Sequence, residues 1–419
     1  MRRILTTLTV FLALLPVVLR AADLLVDHVE YIRAAGTAQL MSLFFPVCDT
    51  QGTYTLTVKN GQDEAHRATA GSVSVNGVEL VGAADFTQSP PSAVITRTIG
   101  NVAERNTLAL SATAPQGSVI GWQVMAEVGC PDITIVNPIA GEVFNRGEIT
   151  VTGKVRHRTP EVGVIVNGVL AQVNGNDWAA NGVVLAAGSD TIKATVIFED
   201  GTTAETIVAV ANQDPYAPQI ALDTVVGSGI ASLLPATQLT VHFKVENRTR
   251  KTLVNYRVDY EGDGTFDLEV PSLESFDHLY PQEGLFPATV VARDELGTEY
   301  TASYTVSGHP LPPLKSKWEK MKAALAVRDI YGAVKYYRDK DKLLEIYTLI
   351  DQQAQQFPER PSLPDIAAEM KDIQLIELQG DSAEYRIRRE EPVQGVPTSI
   401  TYYLHFTRCT DGFWRLEQF

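Results

Sequence analysis

The chain has 419 residues, 35 lysines and arginines against 50 aspartates and glutamates, a net charge of −15 and three cysteines. It is about twice too long for one ordinary domain, so two to four modules are expected, and 45% hydrophobic with 20% charged residues argues against a wholly disordered chain or a polytopic membrane protein. The acidic balance disfavours a general nucleic-acid binder, which would carry a basic face, and three cysteines cannot build a disulfide-dense scaffold or a four-thiolate zinc site.

At the N-terminus, Arg2 and Arg3 precede an apolar run over residues 4–19, followed by Ala21 and Ala22. This is the three-part order of a secretory signal peptide, with cleavage expected next to Asp23. The run is interrupted by Pro16 and is shorter than the roughly 20 residues a spanning helix needs, which leaves a retained anchor as the alternative. No later segment is long and apolar enough to span a bilayer. The chain ends in Phe419, as outer-membrane barrels often do, but Arg415 and Glu417 occupy positions that a lipid-facing strand keeps apolar. Loss of residues 1–22 removes three arginines and no acid, leaving −18. The acidity is uneven: residues 23–313 hold 16 basic and 33 acidic groups, residues 314–419 hold 16 and 17. Two kinds of module are joined.

The acidic part reads as β throughout. Strict alternation runs through Tyr54, Leu56 and Val58, through Ile120, Trp122, Val124, Ala126 and Val128, and through Leu239, Val241, Phe243 and Val245. Between such runs stand Asn60-Gly61, Asn76-Gly77, Asn167-Gly168, Asp200-Gly201 and Asp263-Gly264, pairs that tolerate the positive φ values of two-residue hairpins. Many short strands with close turns predict β-sandwiches, at residues 23–131, 132–213 and 214–310. The first two share a pattern: residues 72–80 around Asn76-Gly77 match residues 163–171 around Asn167-Gly168, and residues 106–111 match residues 190–195, so a repeated unit is expected. Residues 212–218 read as a short linker and residues 308–313 as a stiff proline spacer.

Residues 132–212, with Ile149-Thr-Val-Thr-Gly153, Val164-Ile-Val-Asn-Gly168, Trp178 and residues 185–195, resemble the bacterial immunoglobulin-like module called glucodextranase domain B. That resemblance implies an accessory sandwich without hydrolytic function. Residues 219–307 resemble a PKD (polycystic kidney disease) repeat through residues 256–267, His278-Leu-Tyr280, Gly284, Phe286 and residues 288–294, departing from its pattern at Val258 and at the extra Glu261.

Residues 311–419 change period. Ser316 followed by Glu319 has the spacing of a capping box, after which Trp318, Met321 and Leu325 recur at helical spacing. Ile330, Val334 and Tyr337 continue a second helix capped by Asp329, Leu343, Tyr347, Ile350, Ala354 and Phe357 line a third, and a short helix follows near residues 365–370. Four strands close the chain, over residues 373–378, 383–389, 400–406 and 413–419. The fold class expected is mostly β, three tandem immunoglobulin-like sandwiches followed by a small α+β domain. The order of the last domain, closing on Asp411-Gly-Phe-Trp-Arg-Leu416, is similar to the nuclear-transport-factor-like (SnoaL-like) cone.

Asp259, Glu261, Asp263 and Asp267 around Gly264 form the one candidate metal set, since carboxylates at alternate positions of a tight glycine turn can converge oxygens on calcium; the same residues also serve a plain acidic hairpin. Cys48 and Cys130 fall in one predicted sandwich and form a candidate disulfide, with two buried thiols as the alternative. Cys409 is expected to be a free thiol. The histidines are scattered without metal-helix spacing, and no nucleophile elbow, phosphate loop or dinucleotide-binding glycine motif occurs. The loops Arg156-His-Arg158 and Arg248-Thr-Arg-Lys251 read as solvated surface, and Trp122, Trp178, Trp318 and Trp414 as core. No catalytic or cofactor-binding residues are expected beyond the calcium candidate. These readings point to an exported, non-catalytic protein that binds, adheres or spaces at the bacterial envelope or outside it, with an envelope protein or polysaccharide as partner. The alternatives are a small-ligand or enzymatic pocket in the C-terminal cone and an accessory carbohydrate-binding protein.

Overall fold

A computed structural model describes residues 22–32, 41–87, 93–224, 239–280, 284–308, 314–393 and 396–418. All of the expected signal segment but Ala22, and all of the proline spacer but Gly308, lie outside these residues. The chain is mostly β, three sandwiches followed by a small α+β domain, and its buried apolar side chains form four separate cores.

In the first sandwich one sheet runs in the order Asp23–Tyr31, Val119–Glu127, Thr53–Asn60, Val94–Ile99, and the other Met41–Pro46, Arg105–Thr113, Ala70–Val75, Val78–Val81. The register sets Leu56 against Val124 and Val58 against Trp122, so the alternating stripes of two strands lie side by side on the buried face. The second sandwich repeats the plan. Strand Val162–Val166 pairs with Gly188–Phe198 as Ala70–Val75 pairs with Arg105–Thr113. Asn76-Gly77 and Asn167-Gly168 make matching hairpins, with φ of 50° and 80° in one and 46° and 85° in the other. Both asparagines also hold the neighbouring strand: Asn76 Oδ1 accepts from Thr107 N at 2.9 Å and Asn167 Oδ1 from Lys193 N at 2.9 Å. The repeat inferred from residue patterns is therefore a repeat of hydrogen bonding.

Asn60-Gly61 makes no hairpin. It leads into a loop in which Asn60 Oδ1 accepts from Ala68 N at 2.7 Å, a strand-like pairing supplied by a side chain. In the second core, fully buried Trp178 stands opposite Gly153, where a Cβ would lie 2.3 Å from the indole, so glycine is the residue that lets the ring fill the sandwich. The third sandwich packs the sheet Ile220–Thr224, Leu239–Asn247, Ser275–Tyr280 on the sheet Leu268–Val270, Leu253–Asp259, Gly284–Asp294, Glu299–Gly308.

In the last domain, helices Leu314–Ala326, Ile330–Val334, Lys340–Gln356 and Leu363–Glu369 accompany an antiparallel sheet of Gln374–Gln379, Ser382–Val393, Val396–Arg408 and Trp414–Gln418. Trp318, Tyr337, Tyr347, Tyr385, Phe406 and Trp414 fill the space between helices and sheet. Tyr402, on the same alternation as Leu404 and Phe406, is 42% exposed. Residues Tyr336 to Arg338 cover the sheet edge, exchanging backbone hydrogen bonds with Leu416.

The capping box expected at Ser316 and Glu319 does not form, because the chain is already helical at Leu314. Ser316 lies inside the helix and hydrogen-bonds His28 of the first sandwich at 3.1 Å, while Glu319 is paired with Lys322. Serine caps a helix only from outside it. The helix that opens the last domain thus lies against strand Asp23–Tyr31, and the end of the described chain returns to its beginning.

Candidate functional site

The acidic turn of the third sandwich links strands Leu253–Asp259 and Leu268–Val270. Asp259, Glu261 and Asp267 can each place one oxygen within 4.8 Å of the others; Asp263 stands outside this group and accepts from Thr265 N at 2.7 Å. The buried Asp259 carboxylate accepts from Gly262 N at 2.7 Å and Gly264 N at 2.8 Å, and Asp267 accepts from Tyr260 N at 2.9 Å. Glu261 meets His278 Nε2 at 2.9 Å, and the His278 ring stacks on Tyr260. The carboxylates thereby satisfy amides that the tight turn would leave without partners, a role that needs no ion. Their remaining lone pairs are the donor set that calcium would use.

A second constellation lies where the first, second and last modules meet. Arg156, placed on the surface by its basic neighbours in sequence, is only 3% exposed. It is ion-paired with Asp23 of the first sandwich at 3.1 Å and with Asp132 at the start of the second at 2.9 Å, and donates to the carbonyl of Cys130 at 2.8 Å. Cys130 is joined to Cys48 by a disulfide with Cα atoms 6.2 Å apart, within the usual range for such bridges. Asn176 of the second sandwich donates to Val47 O, next to Cys48, at 2.7 Å. Arg158 also approaches Asp132, at 3.6 Å, so two guanidinium groups face the two carboxylates, and removing one partner of a buried pair typically costs about 3–5 kcal/mol.

Glu161 holds the last domain. One carboxylate oxygen pairs with Lys317, and the other accepts from Trp414 N at 3.0 Å; Lys317 also donates to Trp414 O at 2.7 Å. One turn further along the helix Lys320 reaches Asp27 at 2.9 Å. Arg408 donates to Ala171 O at 2.7 Å, and Gly163 gives the Asp411-Gly412 turn room: a Cβ there would lie 1.9 Å from Asp411 O. Burial alone pushes the Asp27 carboxyl up. The Lys320 charge, hydrogen bonds from Gln123 and Lys320, and the more distant Lys335 together bring it below the ordinary carboxylate value.

Between these contacts lies a cavity of about 270 Å³. Leu43, Phe44, Phe45 and Pro46 of the first sandwich and Val162 and Val173 of the second make its apolar wall; Asp381 and Arg408 come from the last domain. Two runs of its lining are edge strands, Met41–Pro46 and Gln172–Asn174. Phe44 is 55% exposed there. Residue spacing did not reveal this site, since its walls come from segments hundreds of positions apart. The signals it did leave were an aromatic in the exposed register of a short strand and a basic loop beside Pro160 and Glu161. His28 and His157 border the cavity but are held within the protein, by Ser316 and by Gly175 O at 2.8 Å. Cys409 is half-buried and free. All four tryptophans are buried in the sandwiches and the last domain.

No protein-family model matches the chain, and no curated protein matches it significantly. Among solved structures it is similar to fibronectin(III)-like modules of Clostridium thermocellum CbhA, at 17% identity over 42% of this chain and 94% of that one with a TM-score of 0.17. It is also similar to the Ig1-2 module of the Drosophila receptor protein tyrosine phosphatase DLAR, at 11% identity over 41% and 97% with a TM-score of 0.19. A third likeness is to the Bacteroides ovatus mixed-linkage glucan utilization protein SGBP-B, crystallised with a heptasaccharide, at 16% identity over 42% and 47% with a TM-score of 0.15. At such identities and TM-scores no activity, ligand or partner passes from these proteins to this chain.

Two outcomes follow from the geometry. Asp259→Ala, which strips two amides of their acceptor, is expected to lower stability by about 2–3 kcal/mol in denaturant melts with and without calcium. A calcium-dependent rise in the wild-type melting temperature that Glu261→Gln abolishes would instead assign the turn to the metal. Because the folded Asp27 carboxyl lies below its unfolded value of about 3.9, its contribution is present above that pH and is lost as pH falls through the folded value. Acid titration of wild type and Asp27→Asn should accordingly show a smaller acid loss in the variant.

Proposed function

We propose that this chain is an exported, non-catalytic binding protein of the bacterial cell envelope or its exterior, and that it recognises its ligand at the junction of its first, second and last modules. The signal-like residues 1–22 support export. One observation carries the site: a cavity with an apolar wall from two sandwiches and charged groups from a third module, where a ligand with an apolar body and a polar end would be held on three sides. Against catalysis at this place stands the use of its groups. His28, Glu161 and Arg408 are each engaged in holding modules together, and His157 is held by Gly175 O within the second sandwich. A pocket inside the C-terminal cone is disfavoured by the aromatic side chains that fill it.

In this reading residues 132–213 form a glucodextranase-B-like module, residues 214–310 a PKD-like module and residues 311–419 a relative of the nuclear-transport-factor-like cone. The partner is an envelope protein or polysaccharide. Affinity capture from the producing cell's envelope with the full chain, compared with Val173→Trp, tests the proposal. The indole enters the cavity, so whatever the wild type retains should fall by about tenfold or more on the variant. Equal retention by both would move recognition to another surface.

A further inference from the structure

A set of polar contacts ties the last domain to the first two sandwiches. Lys317 meets Glu161, Lys320 meets Asp27, Ser316 meets His28, and Arg408 and Trp414 bond across the same seam. Among the described residues no apolar core crosses this seam: the cluster of the last domain spans Leu314 to Leu416, that of the first sandwich ends near Val128, and that of the second lies between Ile133 and Val210. Each module therefore keeps its own hydrophobic stabilisation whether or not the seam is closed.

Glu319 and Lys322 sharpen the point. Both are 0% exposed, paired at 2.8 Å one turn apart on the seam helix, with the ammonium 5.8 Å from the centre of the Tyr31 ring of the first sandwich. Taking such ions out of water is unfavourable by several kcal/mol each, and their mutual attraction returns only part of it. On separation both would regain hydration, which offsets much of what the lost contacts had contributed. A contact built in this way is specific in register and weak in sum.

We infer that the last domain is a detachable clasp, held on the first two sandwiches by charge and backbone fit, and that its release opens the junction cavity. The clasp goes beyond the binding reading and requires no ligand, so its test is run without one, and a failed capture experiment leaves it standing.

Gly163→Ala is the sharpest probe. Gly163 lies in a strand with ordinary backbone angles, so alanine suits the sandwich itself and only the docked Asp411-Gly412 turn objects. In hydrogen exchange on the full chain, protection of Asp23–Tyr31 and Leu314–Ala326 should fall at least about tenfold, while Thr53–Asn60, Gly188–Phe198 and Ser382–Val393 keep wild-type protection. Lys317→Glu, altered from the other side of the seam, should give the same pattern, and Glu161→Lys combined with it should restore protection in part. Unchanged exchange in both single variants would overturn the clasp. So would loss of protection throughout Ser382–Val393, because the domain would then depend on docking for its fold.

Discussion

The arrangement rests on one helix with two buried faces. Leu314–Ala326 turns Leu314, Trp318, Met321 and Leu325 into the core of its own domain and Ser316, Lys317, Lys320 and Lys322 toward the first two sandwiches. An amphipathic helix on a domain surface normally gives its polar side to water. Here that side is covered by Asp23–Tyr31, an edge strand whose open side would otherwise be available for pairing with another chain. Covering the edge and docking the last domain are one event.

Charge distribution takes on a different meaning in this arrangement. The acidity of residues 23–313 is not all solvated surface: Asp23, Asp27, Asp132 and Glu161 pair with Arg156, Lys320 and Lys317. The near-neutral last domain supplies two of these cations. Between the second and third sandwiches the same economy appears without charge: the Asn181 side-chain amide pairs with both backbone groups of Thr305, at 2.8 and 2.9 Å, as a neighbouring strand would. Polar side chains that imitate backbone recur at Asn60, Asn76, Asn167 and Asn181.

What could be read from the residues was whatever is periodic or local. The stripe of Tyr54, Leu56 and Val58, the paired hairpins at Asn76 and Asn167, and the sheet around Ala383, Tyr385 and Ile387 all declare themselves through a repeat of two or a turn pair. Misreadings came where the same local pattern serves two purposes. Ser316 and Glu319 have the spacing of a cap and act inside a helix instead, and Arg156 lies in a basic loop that two distant carboxylates bury. The cavity is a product of docking among modules, so no window of residues contains it. The acidic turn shows the middle case, in which spacing brought Asp259, Glu261 and Asp267 together while Asp263 went to a backbone amide.

The central claim is that the last domain docks on the first two sandwiches through paired charges. Zero-length carbodiimide coupling tests it directly, since it joins only amines and carboxylates in contact. Peptides linking Lys320 to Asp27 should form alongside the within-module pairs Lys154 to Asp177 and Lys193 to Glu205, all three with nitrogen–oxygen distances of 2.8–2.9 Å. Recovery of the two within-module links without any link between residues 23–31 and 314–326 would contradict the docked arrangement.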